Sequence, residues 1–161
     1  MLRHLRKILI VNGRKDSGKT TSIKMLIRIL EDAGFQELPN ITDKYQEIKR
    51  LFQNDEFKIL KKNGTVIGII TEGDYCEDWI FVLTLVFIFK CTIIVCAMRT
   101  KNQKTRLPIA LLSSLLKEAH PLIETVRKRK KAKRAPKSVR NQANQEFAKN
   151  LHTTLSDVLN D

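Results

Sequence analysis

The chain has 161 residues, of which 42% are hydrophobic and 29% are charged; this fits one well-buried globular domain and leaves too little chain for two of ordinary size. Six glycines and four prolines argue against a fibrous or low-complexity protein. The formal net charge of +13 comes mainly from residues 99–161, which hold 15 Lys and Arg against 5 Asp and Glu. Such a charge favours polyanionic partners: nucleic acid, anionic lipid or phosphorylated ligands.

The first predicted element is a strand at residues 7–12, KILIVN, which is too uniformly apolar for a half-exposed strand and therefore suits the centre of a sheet. Its apolar run is too short for the core of a signal peptide, so we expect the amino terminus to be retained. A helix is predicted from Thr20 to about Ala33, with Gly34 as its stop. Four apolar residues recur at helical spacing on one face of this helix: Ile23, Leu26, Ile27 and Leu30.

Between this strand and this helix lies GRKDSGKT, residues 13–20. The segment resembles the Walker A pattern of the P-loop NTPase superfamily, and the flanking strand and helix are the context that the pattern requires. The resemblance implies that Gly13 and Gly18 let the backbone wrap a phosphate, toward which N–H groups and the positive helix end point. It also implies that Lys19 reaches the β and γ phosphates and that Thr20 binds Mg²⁺. The nucleotide-binding residues expected from it are Gly13, Lys15, Asp16, Ser17, Gly18, Lys19, Thr20 and Thr21.

The middle of the chain contains one weak pattern and one clear one. Residues 35–56 are ambiguous, and a short helix capped by Thr42 is one interpretation. The Asn-Gly pair at 63–64, between two strand-like runs, is the preferred two-residue turn of a β-hairpin. We expect antiparallel strands at 57–61 and 65–71, the first at the edge of the sheet and the second, which is continuously apolar, inside it.

Two acidic residues, Glu72 and Asp74, follow the second hairpin strand in the sequence GIITEGD. The resemblance calls for an acidic group at the end of a strand neighbouring the loop, and ligands of open α/β sheets bind at the carboxyl ends of strands. Asp74 is the preferred carboxylate for Mg²⁺, directly or through water, with Glu72 as the alternative. Asp74 does not directly follow the apolar run as in the usual Walker B pattern, and an ordinary turn acid is the competing interpretation.

The longest apolar stretch, residues 80–98, contains a single charge, Lys90, and is about long enough to span a bilayer. Lys90 at its centre would cost about 2.5 to 3.5 kcal/mol on insertion scales. A spanning helix would also place the loop at 13–20 on the side of the membrane where nucleotide is scarce. We therefore predict a helix at about 76–89 and a strand at about 91–98, with a transmembrane helix as the less favoured alternative.

Arg99 and Arg106 bound the polar loop RTKNQKTR that follows this strand. They would neutralise phosphate charge during transfer, as lid arginines do in the small P-loop kinases that the chain loosely resembles, or they belong to a solvated basic loop. The hairpin is similar to that of small GTPase-like domains, but residues 71–74, TEGD, depart from their Asp-x-x-Gly switch. No Asn-Lys-x-Asp guanine motif is present, so ATP is the default nucleotide and GTP stays open.

The carboxyl-terminal part begins with an amphipathic helix predicted from RLPIALLSSLLKEAHP, followed by either a strand or a basic helix after Pro121. Residues 126–140 hold nine Lys or Arg and no aromatic residue, which suits nucleic-acid backbone contact rather than base stacking. A solvated linker, an anionic membrane and an acidic protein are the other interpretations of this segment. A last helix is predicted within 141–161, with four apolar residues at helical spacing: Phe147, Leu151, Leu155 and Val158.

The predicted organisation is a nucleotide-binding domain at 1–126, a basic segment at 127–140 and a helix at 141–161 that packs on the same domain. The predicted fold is α/β, a three-layer P-loop NTPase fold with a mainly parallel sheet and one antiparallel edge hairpin. Cysteines at three positions lack metal-finger spacing and are expected as buried reduced thiols in the cytoplasm: Cys76, Cys91 and Cys96.

The predicted function is Mg²⁺-dependent binding of a purine nucleotide, with kinase-like phosphoryl transfer or hydrolysis. In this scheme Lys19, Asp74, Arg99 and Arg106 carry the catalysis, and Thr20 and Asp74 serve the metal. The alternative is a nucleotide-dependent nucleic-acid-binding module with little or no turnover, which would use residues 127–140. The sequence indicates neither the phosphoryl acceptor nor the oligomeric state.

Overall fold

Six strands form one sheet in the computed structural model, which describes residues 4–14, 16–38, 57–71, 87–99, 122–128 and 135–159. The elements within these residues are β1 (Lys7–Gly13), α1 (Lys19–Asp32), β2 (Gln36–Glu37), β3 (Phe57–Lys62), β4 (Thr65–Ile70), β5 (Ile93–Arg99), β6 (Leu122–Lys128) and α2 (Lys137–Leu159). The helices suggested at Thr42 and in RLPIALLSSLLKEAHP lie outside the described residues.

The strands lie in the order β2-β3-β4-β5-β1-β6. The four strands β4, β5, β1 and β6 are parallel, while β3 pairs antiparallel with both β4 and β2. The prediction of an α/β fold with a mainly parallel sheet and antiparallel pairing at one edge is confirmed. Because parallel strands end at the same edge of a sheet, Gly13 of β1 lies in register with Arg99 of β5 and Lys128 of β6.

Helix α1 covers one face of the sheet with the apolar residues expected from the sequence. Its four predicted apolar positions are all buried, because their spacing places them on one side of the helix. The helix ends as predicted at Gly34, whose φ of 91° suits a residue without a side chain, and whose N–H donates to the Glu31 carbonyl.

Helix α2 packs beside α1 on the same face, and Ala148, Leu151 and Leu155 are buried in the shared core. Leu151 and Leu155 were among the predicted apolar positions, and Phe147 and Val158 are half-buried at the border of the core. The helix begins four residues earlier than predicted, within the basic segment, because the Pro136 carbonyl accepts a hydrogen bond from the Arg140 N–H at 3.1 Å.

Apolar side chains of the opposite face of the sheet are buried as well: Ile8, Ile10, Ile59, Ile70, Ile94 and Cys96.

The hairpin of β3 and β4 forms around the predicted turn. Asn63 and Gly64 have φ values of 47° and 85°, as a two-residue hairpin turn of type I′ requires. β4 lies inside the sheet as expected, but the prediction that β3 is the edge strand is wrong, since β2 pairs with its outer side. β2 has only two residues, both polar and exposed, so no alternation in the sequence indicates it.

The apolar stretch at 80–98 is not one helix. Residues 87–89 are helical, Lys90 has a φ of 50°, and β5 follows as an interior strand between β4 and β1. The residues after Pro121 form β6, so the strand was the correct alternative there. Across the described ranges, no helix is both long enough and apolar enough to cross a membrane.

Candidate functional site

The segment that resembles a Walker A motif forms a tight connection between β1 and α1. The Ser17 N–H donates to the Arg14 carbonyl at 3.2 Å, closing a turn directly after the strand. Asp16 and Gly18 have left-handed φ values of 58° and 86°, which redirect the chain into the helix. Lys15 lies outside the described residues. The loop therefore begins at the carboxyl edge of the sheet and ends at a helix start.

The start of α1 has no cap of its own. Gly18 is the capping residue and supplies no side-chain hydrogen bond, and the first turn contains no acidic residue. The first N–H groups of a helix have no partner within the helix, and the helix dipole adds partial positive charge there. This arrangement of backbone donors suits an anion such as a phosphate group.

The Lys19 ammonium is folded back onto the loop. Its Nζ donates to the carbonyl oxygens of Gly13 and Arg14, each at 3.1 Å. The side chain thereby crosses from the first turn of α1 to the end of β1, and its charge is held against the loop backbone. A cation in this place complements an anion at the helix start.

Both glycines of the motif are required by close contacts. A Cβ atom at position 13 would lie 2.7 Å from Ser17 Oγ and 2.8 Å from the Lys128 carbonyl oxygen. A Cβ atom at Gly18 would lie 2.4 Å from Asn144 Oδ1, a contact closer than side chains tolerate. Ser17 is only 7% exposed, and among the described residues its buried hydroxyl has no hydrogen-bond partner. An unpaired buried hydroxyl beside an open helix start is a further polar group that a ligand would satisfy.

The Thr20 hydroxyl points toward the end of β4, where it donates to the Thr71 carbonyl at 3.4 Å. β4, the strand that precedes the two acidic residues in the sequence, is not adjacent to β1, because β5 lies between them. Nevertheless α1 spans this distance, and Thr20 comes within hydrogen-bonding reach of the chain directly before Glu72. Glu72 and Asp74 themselves lie outside the described residues.

A cleft of about 370 Å³ separates the loop from the amino-terminal part of α2. Ligand sites of proteins start at about this size. The sequence predicts a site on the side of this cleft that the loop forms, but not on the side that β6 and α2 form. The cleft is lined by Asp16, Ser17, Gly18 and Thr21 from the loop and α1, and by Lys128, Lys137, Arg140, Asn141 and Asn144 from β6 and α2.

Lys128 fastens α2 to the end of β6. The residue is only 5% exposed, and its ammonium donates to the Ala143 carbonyl at 2.8 Å and lies 4.4 Å from the centre of the Phe147 ring. Both contacts stabilise a buried cation, the first as a hydrogen bond and the second through the face of the ring. The sequence marks Lys128 only as one of many basic residues, so nothing local indicates this role.

The remaining predicted site residues are only partly located. Arg99 ends β5 opposite Gly13, so its backbone lies at the same edge as the loop. Arg106 and Asp74 lie outside the described residues. In the parts of the chain that the structure describes, no group of three or more His, Cys, Asp or Glu residues could hold a metal ion.

Comparison with known proteins gives no relative for this chain: no family model, curated protein or solved structure matches it.

Proposed function

We propose that the chain binds a purine nucleotide, ATP in the first instance, together with Mg²⁺ at residues 13–20, and transfers its γ-phosphoryl group to water or to a small acceptor. The observation that carries this proposal is the connection between β1 and α1. It combines an uncapped helix start, two sterically required glycines and the Lys19 ammonium held on carbonyl oxygens. Phosphate oxygens would form stronger, charge-assisted bonds with Lys19 than these carbonyls do.

The donor atoms near Thr20 are of the kind that Mg²⁺ prefers. The Thr20 hydroxyl and Thr71 carbonyl oxygens lie 3.4 Å apart, and Asp74, or Glu72 in its place, is the proposed carboxylate. When bound, Mg²⁺ would neutralise part of the charge on the phosphate oxygens. Thr20 would then hold the metal side of the site while Lys19 and the loop N–H groups hold the phosphate.

Two arginines are proposed to stabilise the charge that develops during transfer. Arg99 has the better placement, because β5 ends at the same edge as β1, in register with Gly13. Arg106 is proposed for the same role from the sequence alone. ATP is preferred over GTP because the chain lacks a guanine-reading Asn-Lys-x-Asp motif.

The experiment is a titration of the protein with ATP and GTP, with and without Mg²⁺, together with a phosphate-release assay on the wild type and Lys19→Ala. Charged hydrogen bonds contribute about 1.5 to 3 kcal/mol each, so loss of two contacts should lower the affinity by about 100-fold or more. The matched control is Arg28→Ala, which removes one charge from an exposed position about 13 Å further along α1. If neither nucleotide binds, or if Lys19→Ala binds like the wild type, the proposal fails.

A second function, nucleotide-dependent binding of nucleic acid with little turnover, is favoured by one observation. Arg127, Lys137 and Arg140 are exposed at the end of the molecule where the loop lies. Backbone contacts of this kind lose affinity steeply with salt. The test measures affinities for single-stranded RNA and DNA at 50 and 200 mM salt, with and without ATP. A nucleic-acid-binding module should bind in a salt-sensitive way, with an affinity that changes when ATP is added. A kinase should instead transfer phosphate faster when its acceptor is present.

A further inference from the structure

Helix α2 extends past the edge of the sheet on which it packs. Asn144 lies against Gly18 at the loop, and Thr154 accepts a hydrogen bond from Lys7 at the start of β1. The helix therefore runs in the same direction as α1, with Asn144 level with the loop. At a rise of 1.5 Å per residue, Arg140 stands about 6 Å and Lys137 about 10 Å beyond that level. The first two turns of α2 thus overhang the loop.

The overhang does not serve the hydrophobic core. Residues 137–142 are all exposed, and the buried residues of the helix begin at Ala148. A helix of 23 residues gains its stability mainly from its packed face, and these turns contribute no packed residue. Three of these residues line the cleft: Lys137, Arg140 and Asn141. Contact with a ligand in the cleft would account for their position.

Two helix starts border this cleft. α1 begins there at Lys19 and α2 begins there at Lys137, and neither first turn contains an acidic residue. At each start the first N–H groups have no partner within their own helix, and the helix dipole adds partial positive charge. The buried Ser17 hydroxyl, without a partner among the described residues, is a further polar group on the loop side.

The side chains of the overhang add full charges to these partial ones. Lys137 and Arg140 line the cleft, and neither forms an ion pair with any residue that the structure describes. Asp16 is the acidic residue among the lining residues, against three cations. The position of the overhang relative to the loop is fixed by the Lys128 contacts with Ala143 and Phe147 and by the core below.

We propose that the overhang of α2 is the second wall of the phosphate site, in which Lys137 and Arg140 bind phosphate oxygens of a polyphosphate ligand held on the loop. The inference rests on the proposed function and deepens it, because it defines the ligand class as a chain of at least two phosphates. Orthophosphate on the loop would not extend to the overhang. A nucleoside triphosphate would contact both the loop and the overhang, through its phosphates rather than through its base.

The test measures binding of Mg²⁺-ATP, inorganic tripolyphosphate and adenosine to the full chain by calorimetry. Arg140→Gln and Lys137→Gln should each lower the affinity for ATP and for tripolyphosphate by about tenfold, the loss expected for one charged hydrogen bond. The control Lys149→Gln removes the same charge from an exposed position of α2 below the loop and should leave both affinities unchanged. Circular dichroism and thermal melting of each variant confirm that α2 stays folded.

Three outcomes overturn the inference, and they differ in what they leave standing. If the double variant of Lys137 and Arg140 binds ATP like the wild type while Lys19→Ala does not, the loop is a nucleotide site and the overhang is not part of it. If ATP affinity falls but tripolyphosphate affinity is unchanged, the overhang contacts the nucleoside instead. If the wild type binds neither ATP nor tripolyphosphate, the proposed function and this inference fail together.

Discussion

The two ends of the parallel strands are built in opposite ways. At the amino end, Thr92 joins three strands, accepting from the N–H groups of Arg6 and Lys7 and donating to the Val66 carbonyl at 2.7 Å. The Lys7 ammonium is buried there, bonded to the Thr154 carbonyl and paired with Glu124 at 2.9 Å. These polar groups are paired within the protein, so this end is closed.

Among the residues that the structure describes, the carboxyl end is open by comparison. Gly18 leaves the start of α1 without a side-chain cap, the Ser17 hydroxyl is buried without a described partner, and Lys137 and Arg140 extend into a cleft. Burying unpaired polar groups costs free energy that packing elsewhere must offset. The difference indicates a division of roles: changes at the amino end should alter stability and spare ligand binding, and changes at the carboxyl end should alter binding.

The largest effect on stability is expected from Glu124→Gln at the amino end. The Lys7 side chain is 2% exposed and that of Glu124 is 40% exposed, so the substitution leaves a buried ammonium beside a neutral amide. Breaking a buried pair costs about 3 to 5 kcal/mol, and water at the exposed carboxylate moderates this to about 2 to 3 kcal/mol. Urea denaturation measures the loss, and the affinity for Mg²⁺-ATP should stay unchanged.

The control for this prediction is Glu146→Gln, which removes the same charge from an exposed position of α2. It should change the free energy of unfolding by less than about 0.5 kcal/mol. Equal stabilities of the two variants would show that the Lys7 pair does not close the amino end, and a drop in ATP affinity for Glu124→Gln would contradict the division of roles.

A smaller loss of stability, about 2 kcal/mol, is expected from Gly18→Ala at the carboxyl end. The φ of 86° costs an alanine about 1 to 2 kcal/mol, and its Cβ would displace Asn144 from the loop. Because the loop must shift, ATP affinity should fall with the stability. Denaturation and calorimetry on the same preparations measure both quantities.

The matched control is Gly64→Ala in the hairpin turn at the amino end of β4. Gly64 has a nearly identical φ of 85°, and no atom lies within 4 Å of its Cβ position. This variant should lose only the conformational part of the stability and should bind ATP like the wild type. If Gly18→Ala also keeps its affinity, the loop does not need its present shape for binding.

The sequence predicts the local features of the fold better than their assembly. The apolar face of α1 and the turn at Asn63-Gly64 depend on residues close together in the chain, so periodicity and turn chemistry are sufficient to find them. The order of the strands is a different matter, because nothing local tells that β5 enters between β1 and β4.

The far wall of the cleft shows the same limit. Lys128 and Arg140 belong to the predicted basic segment, but their placement beside Gly18 depends on the packing of α2 against α1. The helical spacing of Leu151 and Leu155 predicts that α2 has a buried face. It does not specify which part of the sheet that face covers, since a contact between residues far apart in the chain leaves no periodic signal.

A further effect on stability is expected at the amino end, and it depends on alkaline pH. Burial raises the pKa of Cys91 from the ordinary 9.0 to about 12, because the thiolate is disfavoured away from water. The folded protein therefore keeps this proton while the unfolded chain releases it. The contribution to stability is complete below pH 9 and is lost between pH 9 and 12, by at most about 1.4 kcal/mol per pH unit.

Lysines and tyrosines titrate in the same range, so the measurement is the difference between the wild type and Cys91→Ala. The free energies of unfolding of the two proteins, measured with urea at pH 8, 9, 10 and 10.5, should converge, because the wild type loses its extra stability as the pH rises. The thiol should also resist a disulfide reagent at pH 8 until urea unfolds the protein, because its buried form is protonated. Two results would mean that water reaches the amino end: free energies of unfolding that depend on pH in the same way for the wild type and Cys91→Ala, or rapid labelling of Cys91 in the folded chain. The contrast between a closed and an open end would then no longer hold.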